Sequence, residues 1–590
     1  MRWIRGKAKL FYARIACSGL AMALMASATA GCREPLAAPI PSAQSDEASP
    51  RRGGTLHLAS FGDVRGLDSV TGEALASQMG ELIYAGLVDL DAKANVIPDL
   101  ATHWERTSDG LTYTFFLRSN VRFHDGEELT ADDVKRSMER ALHPTTPNAL
   151  GSFYENLAGF DEYTTKNAPE LPGVEVVGRY AVAFHLKKPD ATFLTLMALM
   201  PARPVCKSAG HRYVDTWSPC GAGPFKLLPG GWEHGRSLTL VRHEGYFRPG
   251  LPYLDAVNVT YGMNLVTQRF KFEAGVLDVL RETLQADALR FQNDPRWKPY
   301  ATLEPSIQSF GENMNTEMPP FDNVEVRRAV ACAIDREQYH LLRASNVSAH
   351  THAVPADVPG YNPNVPGQKL DLAEALEHMR KAGFPYDPAT GRGGYEPHIE
   401  YVVQRQSFGE YTAQVLKQSL AKIGIRIDIR AVNFPTYLAL THRRHRVAFS
   451  PQGWSQDYPD AIDFYDSLFA SKSINDEDSS NSAFYKNPTL DDVLEQAHHE
   501  LDPAARQALL DRAESIVQGD APWAFTHSYR FVNVRQPYVR NYRLHPSWTF
   551  EVREMWFDRI KDVMVTGALG PLLRSRTPER AGMATRRSLR

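Results

Sequence analysis

Residues 399–432, IEYVVQRQSFGEYTAQVLKQSLAKIGIRIDIRAV, decide the fold class. Ile399 to Val403 has the apolar, β-branched character of a strand. Tyr411 to Ile423 reads as a helix that ends at Gly424, a residue suited to the left-handed turn beyond a helix. Ile425 to Val432 alternates apolar and polar side chains, as a half-buried strand does. Strand, helix and strand joined by short turns form a βαβ unit, so the class is α/β.

The rhythm extends upstream. Asp371 with Glu374 opens a helix that turns Leu372, Leu376 and Met379 inward and stops at Gly383. Asp322 with Glu325 opens another, carrying Ala329, Val330, Ala333 and Ile334. Nearer the beginning, Thr55 to Ser60 and Leu111 to Arg118 read as strands. Thr130 with Asp133 makes a capping box for a helix whose Val134, Met138, Ala141 and Leu142 share a face, and Pro144 stops it. No internal repeat is visible.

The chain has 590 residues, enough for two or three domains. Hydrophobic residues make up 43% and charged residues 23%, the balance of a soluble globular protein. With 66 Lys and Arg against 69 Asp and Glu, the formal net charge is -3, which argues against a nucleic-acid partner.

The first 32 residues carry a targeting signal. Arg2, Arg5, Lys7, Lys9 and Arg14 precede an apolar stretch from Ile15 to Ala28, closed by Thr29-Ala30-Gly31-Cys32. This is the layout of a secretory signal peptide, too short for a membrane span, so the protein is expected outside the inner membrane. Its end admits two readings. Ala28-Thr29-Ala30 fits an ordinary cleavage site; Ala30-Gly31-Cys32 fits a lipid-attachment box, with Thr29 where Leu is usual. Residues 35–50, rich in Pro, Ala and Ser, make an extended spacer, and a spacer suits a lipid-anchored protein, which favours attachment at Cys32. Outside the cytoplasm, Cys206 and Cys220 are a candidate disulfide. Cys332 lies in an apolar helix and reads as a small buried residue. From Leu569 the chain holds six arginines and one acidic residue with no apolar period, the composition of a solvated tail.

Enzyme signatures are absent: no GxSxG, HExxH or GxxxxGK[ST] occurs, and Gly221-Ala222-Gly223 lacks the third glycine of a dinucleotide loop. His442, His445, His498 and His499 fall on polar helices, where a surface role is expected, and no cysteine or histidine spacing suggests a metal site. No catalytic residue, cofactor or metal is therefore expected.

An ordered series of segments carries more. It comprises Ile83-Tyr84-Ala85-Gly86-Leu87, Pro98 to Glu105, Asp109 to Phe115, Val121 to Gly126 and Thr130 to Val134. Gly221-Ala222-Gly223-Pro224-Phe225, Val326 to Arg336 and Gly453-Trp454-Ser455-Gln456-Asp457-Tyr458-Pro459-Asp460 complete it. Over residues 53–546 the chain resembles the family 5 extracellular solute-binding proteins of ABC transporters, the oligopeptide-, dipeptide- and nickel-binding type. The resemblance implies a two-lobed periplasmic-binding-protein architecture of the type II, flytrap kind, with an extra subdomain in the first lobe. The implied divisions are a signal peptide at 1–31, a linker at 32–52, a first lobe at 53–305 with an insertion at about 76–204, a second lobe at 306–534, a return to the first lobe at 535–565 and a disordered tail at 566–590. A solute closes the hinge by touching both lobes, and a membrane permease reads the closed form.

In peptide-binding members an Asp of the tryptophan-containing segment meets the ligand's ammonium; here that position is Asp457. The other reading of Asp457 is a helix N-cap or a surface acid before Pro459. Trp454 and Tyr458 are candidate apolar walls, and Asn313, Gly221 and Gly223 are candidate cleft residues. Arg405 is either a partner for a carboxylate or an exposed residue after a strand. The expected partners are a short peptide and permease subunits, with the chain monomeric and lipid-anchored. Other solutes of the family (oligosaccharide, metal chelate, opine or haem) and a ligand-sensing module are the alternatives.

Overall fold

The structure is a computed structural model that describes residues 49–70, 74–166, 168–342, 347–405, 407–547 and 550–558. The leader, Cys32 and the arginine-rich tail lie outside the described residues.

The βαβ unit read from residues 399–432 is present. Strands Ile399–Gln404 and Ile427–Val432 pair in parallel, with helix Ser407–Ala421 between them. The helix begins four residues before the expected Tyr411. The second strand starts at Ile427 because the backbone turns through Gly424, at φ 77°. These strands belong to a six-stranded sheet whose order is Val347–Ala349, Trp523–Tyr529, Gln308–Met314, Phe449–Ser455, Ile399–Gln404, Ile427–Val432. Helices cover both faces, because alternate side chains of a strand point to opposite sides and both sets here are apolar. On one face Met314, Tyr401 and Phe449 pack with helices Val324–Ala333, Leu372–Lys381 and Ser407–Ala421. On the other, Trp523 and Phe525 pack with helices Ala461–Leu468, Pro488–His499 and Pro503–Asp520. Each fully buried aromatic side chain contributes about 1.5–3 kcal/mol. The first of these helices is capped by Asn323, whose side chain accepts from the Glu325 N–H, and not by the expected Asp322.

The earlier half of the chain makes two further sheets. Strands Thr55–Ala59, Ala256–Thr260, Ser237–Arg242 and Phe225–Glu233 form one, in that order. Ala101–Arg106, Thr112–Leu117, Ala181–His185 and Val174–Gly178 form an antiparallel sheet with its own core around Phe115, Phe123 and Phe184. Helix Ala131–Leu142 lies against that core, and its Thr130–Asp133 capping box is formed. Cys206 and Cys220 are disulfide-bonded, with Cα atoms 5.4 Å apart.

The chain passes between the six-stranded sheet and the rest through a small connecting sheet. There Val532–Arg535 lies between Val279–Leu280 and Ala301–Leu303. Residues 304–307 lead out of it into the strand Gln308–Met314, and residues 530–531 lead back from Trp523–Tyr529. Beyond this point Val539, Val552, Met555 and Phe557 rejoin the core of the first sheet. Charges fix the returning segment. Arg553 Nη1 lies 2.9 Å from Asp89 Oδ2, and Arg248 Nη2 donates to Asp99 at 2.6 Å. Burial opposes the charged form of Asp89, but the His545 imidazole 3.6 Å away and the Arg553 and Arg203 charges outweigh it and hold the carboxyl far below its usual range.

Candidate solute-binding site

The segment Gly453 to Asp460 leaves the end of the strand Phe449–Ser455 and enters the helix Ala461–Leu468. Gly453 is required by packing: a Cβ there would lie 2.1 Å from the Phe310 ring of the neighbouring strand. Asp460 is the helix N-cap, accepting from the Ile462 N–H at 2.9 Å, and Arg506 grips its carboxylate with two hydrogen bonds of 2.9 and 2.8 Å. Asp457 is therefore not the cap.

Side chains of the segment reach three different parts of the molecule. Trp454 packs on the cluster around Trp523 and Phe525 at the six-stranded sheet. Gln456 reaches the returning segment, its Nε2 donating to the Pro546 carbonyl at 2.5 Å. Tyr458 is 4% exposed and packs edge-on against Phe153, centroids 5.3 Å apart, within the core around Phe115. It is packed into that core, where an open apolar wall was expected.

Asp457 is half-buried, and among the described residues its carboxylate forms no ion pair. Burial alone pushes its carboxyl up to about 6. Asp463, in the first turn of the helix Ala461–Leu468, holds the segment in shape. Its Oδ2 accepts from the Asp457 N–H at 2.9 Å and from Trp454 Nε1 at 3.2 Å. Its Oδ1 is buried without a hydrogen-bond partner among the described residues. Burial, with the Asp457 charge next in weight, pushes the Asp463 carboxyl well above the usual range.

Beside Trp454 a cavity of about 280 Å³ opens over the end of the six-stranded sheet. Phe310, Glu312, Tyr339, Gln452, Trp523 and His527 are among its walls. A bulge in the strand Trp523–Tyr529 stacks His527 on Phe310, centroids 5.0 Å apart. Among the described residues, Gln452 Nε2 and Trp523 Nε1 are buried donors with no hydrogen-bond partner. His442 also lines the cavity and is half-buried, so it is not the surface residue expected.

The remaining expected site residues are dispersed. Asn313, 2% exposed, donates from Nδ2 to the Ser482 carbonyl at 3.2 Å, beneath the cavity wall. Gly221 and Gly223 lie against the backbone of Ile83 and Tyr84, where a Cβ on either would come within 2.5 Å of Ile83 backbone atoms. That is a close-packing reason for glycine, independent of any solute. Arg405 is exposed, and its Nη2 donates to the Ala431 carbonyl at 3.2 Å. His498 pairs with Asp466 at 2.7 Å, His499 Nδ1 meets the Pro189 carbonyl at 2.6 Å, and His445 lies 3.5 Å from Glu317. Cys332 is a half-buried free thiol. Cys332, Glu374 and His378 bring possible metal-ligand atoms within 4.8 Å of one another, but His378 Nδ1 is engaged by Glu325 at 2.7 Å.

The profile of bacterial extracellular solute-binding proteins, family 5 (middle region), matches residues 95–476, well over half of the chain. The chain belongs to this family. Family 5 relatives include Heme-binding protein A of Haemophilus influenzae, 28% identical over 494 residues, covering 79% of this chain and 85% of that protein. Glutathione-binding protein GsiB of Pectobacterium atrosepticum is 27% identical over 500 residues, covering 82% and 90%. The fold matches the ABC transporter-associated periplasmic binding protein DppA of Helicobacter pylori, solved with the peptide STSA, at a TM-score of 0.68 and 24% identity, covering 86% of this chain and 99% of that one. All three are named as binding proteins, and the third as ABC transporter-associated. Among the described residues no helix is long and apolar enough to cross a membrane.

Asp463 and Glu312 were not singled out from the sequence. Asp463 carries a usable signal, since Asp460 followed three residues later by an acid is the pattern of a capped first turn. Glu312 is a lone acid inside a strand, and a charge amid strand residues is itself a mark of a polar site.

Proposed function

We propose that the chain is the exported solute-binding component of an ABC importer and that it captures short peptides by their free amino end. The observation that carries this reading is the Asp457 carboxylate. It stands at the junction of the second lobe with the returning segment, close to a second acid, and no protein cation pairs with it among the described residues. A buried carboxylate is costly until a cation with good hydrogen bonds meets it. An ammonium supplies both the charge and three donors. The unpartnered Gln452 and Trp523 donors nearby suit amide carbonyls. Relatives named for glutathione and a fold neighbour solved with a peptide agree with a solute of this chemistry.

Closure of the lobes on the peptide then gives the permease a shape to recognise. The leader directs export, Cys32 takes the lipid, and the spacer carries a monomeric binding unit off the membrane surface. Native mass spectrometry of the purified protein tests the ligand reading: a co-purified mass that fragments as a peptide supports it, and a haem or sugar mass refutes it. Mass spectrometry of the mature N-terminus tests the anchor, a free terminus at Gly31 excluding lipid at Cys32.

A further inference from the structure

Glu312 sits in the middle of the strand Gln308–Met314 and is 2% exposed. Its Oε1 accepts from the Tyr339 hydroxyl at 3.1 Å and its Oε2 from the Tyr401 hydroxyl at 2.6 Å. Both partners are neutral, and among the described residues no Arg, Lys or His forms an ion pair with it. A carboxylate offers about four lone-pair sites, so these two bonds leave acceptor capacity unused. Burial pushes the carboxyl up to about 7 in spite of the two tyrosine bonds, so the hydroxyls do not repay the desolvation of its charge.

Glu312 lines the cavity of about 280 Å³ with Phe310, Tyr339, His527 and Tyr529 around it. That volume far exceeds the share of one water, about 30 Å³. Aromatic faces around a carboxylate favour a cation twice over, by charge and by ring quadrupole. The alkyl stem of a basic side chain is at home against the same rings. Trp454 borders this cavity, and Asp463 binds Trp454 and the Asp457 backbone through one oxygen, so cavity and segment are adjacent parts of one site.

We propose that this cavity receives a positively charged side chain of the solute, with Glu312 as its counter-ion. The proposal rests on the reading of Asp457 as the receptor for a peptide's amino end, and it narrows the solute to peptides that carry a basic residue.

The test is calorimetry with tripeptides of alanine in which lysine, or methionine as a near-isosteric neutral, occupies each position in turn. In the native protein, lysine at one position should bind at least tenfold more tightly than methionine there. Glu312→Gln, which keeps the shape and one oxygen for a tyrosine hydroxyl but removes the charge, should abolish that preference, so that the lysine and methionine peptides bind alike. Lysine and methionine binding equally at every position overturns the proposal, without reference to any variant. So does a lysine preference that survives Glu312→Gln. Should no tripeptide bind, the peptide reading fails, and thermal shifts with pentylammonium and with pentanol decide the cavity separately. Stabilisation by pentylammonium in the native protein only upholds the counter-ion; equal shifts in native and Glu312→Gln protein, or none, refute it.

Discussion

The indole Nε1–H of Trp454 donates to Asp463 Oδ2 at 3.2 Å, and the same oxygen takes the backbone N–H of Asp457 at 2.9 Å. One carboxylate oxygen thus sets both the plane of the indole and the direction of the loop that carries Asp457. Asp463 can do this because it lies in the first turn of a helix, where the positive end of the helix dipole favours an acid. Burial raises both carboxyls, and at Asp463 the Asp457 charge adds to it. On the proposed reading, a solute ammonium beside Asp457 offsets that desolvation.

Asp463 is therefore expected to act through position. Asp463→Ala leaves the Trp454 and Asp457 donors without an acceptor, and an unmade buried bond costs about 1–3 kcal/mol. Peptide affinity should fall about tenfold or more. Asp463→Asn keeps an oxygen for both donors and should retain most of the affinity. Equal losses in the two variants, measured by calorimetry, would mean that Asp463 acts through its charge.

Affinity should depend on pH with a defined shape. Burial holds the Asp457 carboxyl at about 6 in the free protein, and only its ionised form pairs with an ammonium. Below about pH 6 binding must expel a proton, so affinity should fall as much as tenfold per pH unit. On the alkaline side it should fall again once the peptide amine, with pKa about 7.7–8.0, loses its proton. A flat profile between pH 5 and about 7 would remove Asp457 from the role of ammonium partner.

The disulfide is a separate matter of stability. Cys206 and Cys220 are 14 residues apart, and closing a loop of about 15 residues restricts the unfolded chain by about 3 kcal/mol in the chain-entropy account. The Cys206→Ala, Cys220→Ala double variant should melt several degrees lower than the native protein. An unchanged melting temperature would mean that the bridge is not formed in the purified protein.

How much of this was legible in the sequence follows from range of interaction. The βαβ unit and the Thr130 box are local, set by periodicity and by contacts three or four residues apart, and they are where residues 399–432 and Thr130–Asp133 place them. The course of the Asp457 segment is contiguous in sequence and so open to reading. The burial of Tyr458, one residue on, was not, because it depends on Phe153, some three hundred residues earlier. Glu312 depends on Tyr339 and Tyr401, which only the packing of a helix and a strand brings to it. His442, at the end of the helix Phe434–Thr441, looked like a surface residue because the cavity beside it is closed by the strand that carries Gln452.

The sharpest prediction joins function and stability at Asp457. The group's carboxyl is raised from 3.8 to about 6 by burial, so the folded state favours the protonated form. Stability from this group is complete below the unfolded value near pH 4, declines as pH rises, and is lost once pH passes about 6. At pH 7 the free protein carries the whole cost of a buried, unpaired charge. Asp457→Asn removes that charge at little change of shape. The variant should therefore melt higher than the native protein at pH 7 and equally at pH 4. It should also bind a free-amino peptide at least a hundredfold more weakly, since truncating one partner of a buried charged pair costs roughly 3–5 kcal/mol. N-acetylation of the peptide should reproduce that loss in the native protein. Calorimetry and thermal melts on the same two samples decide it. A variant that gains stability at pH 7 and keeps its affinity would show a strained acid with no part in recognition. One that loses affinity with no gain in stability would show an acid that solvent already reaches in the free protein.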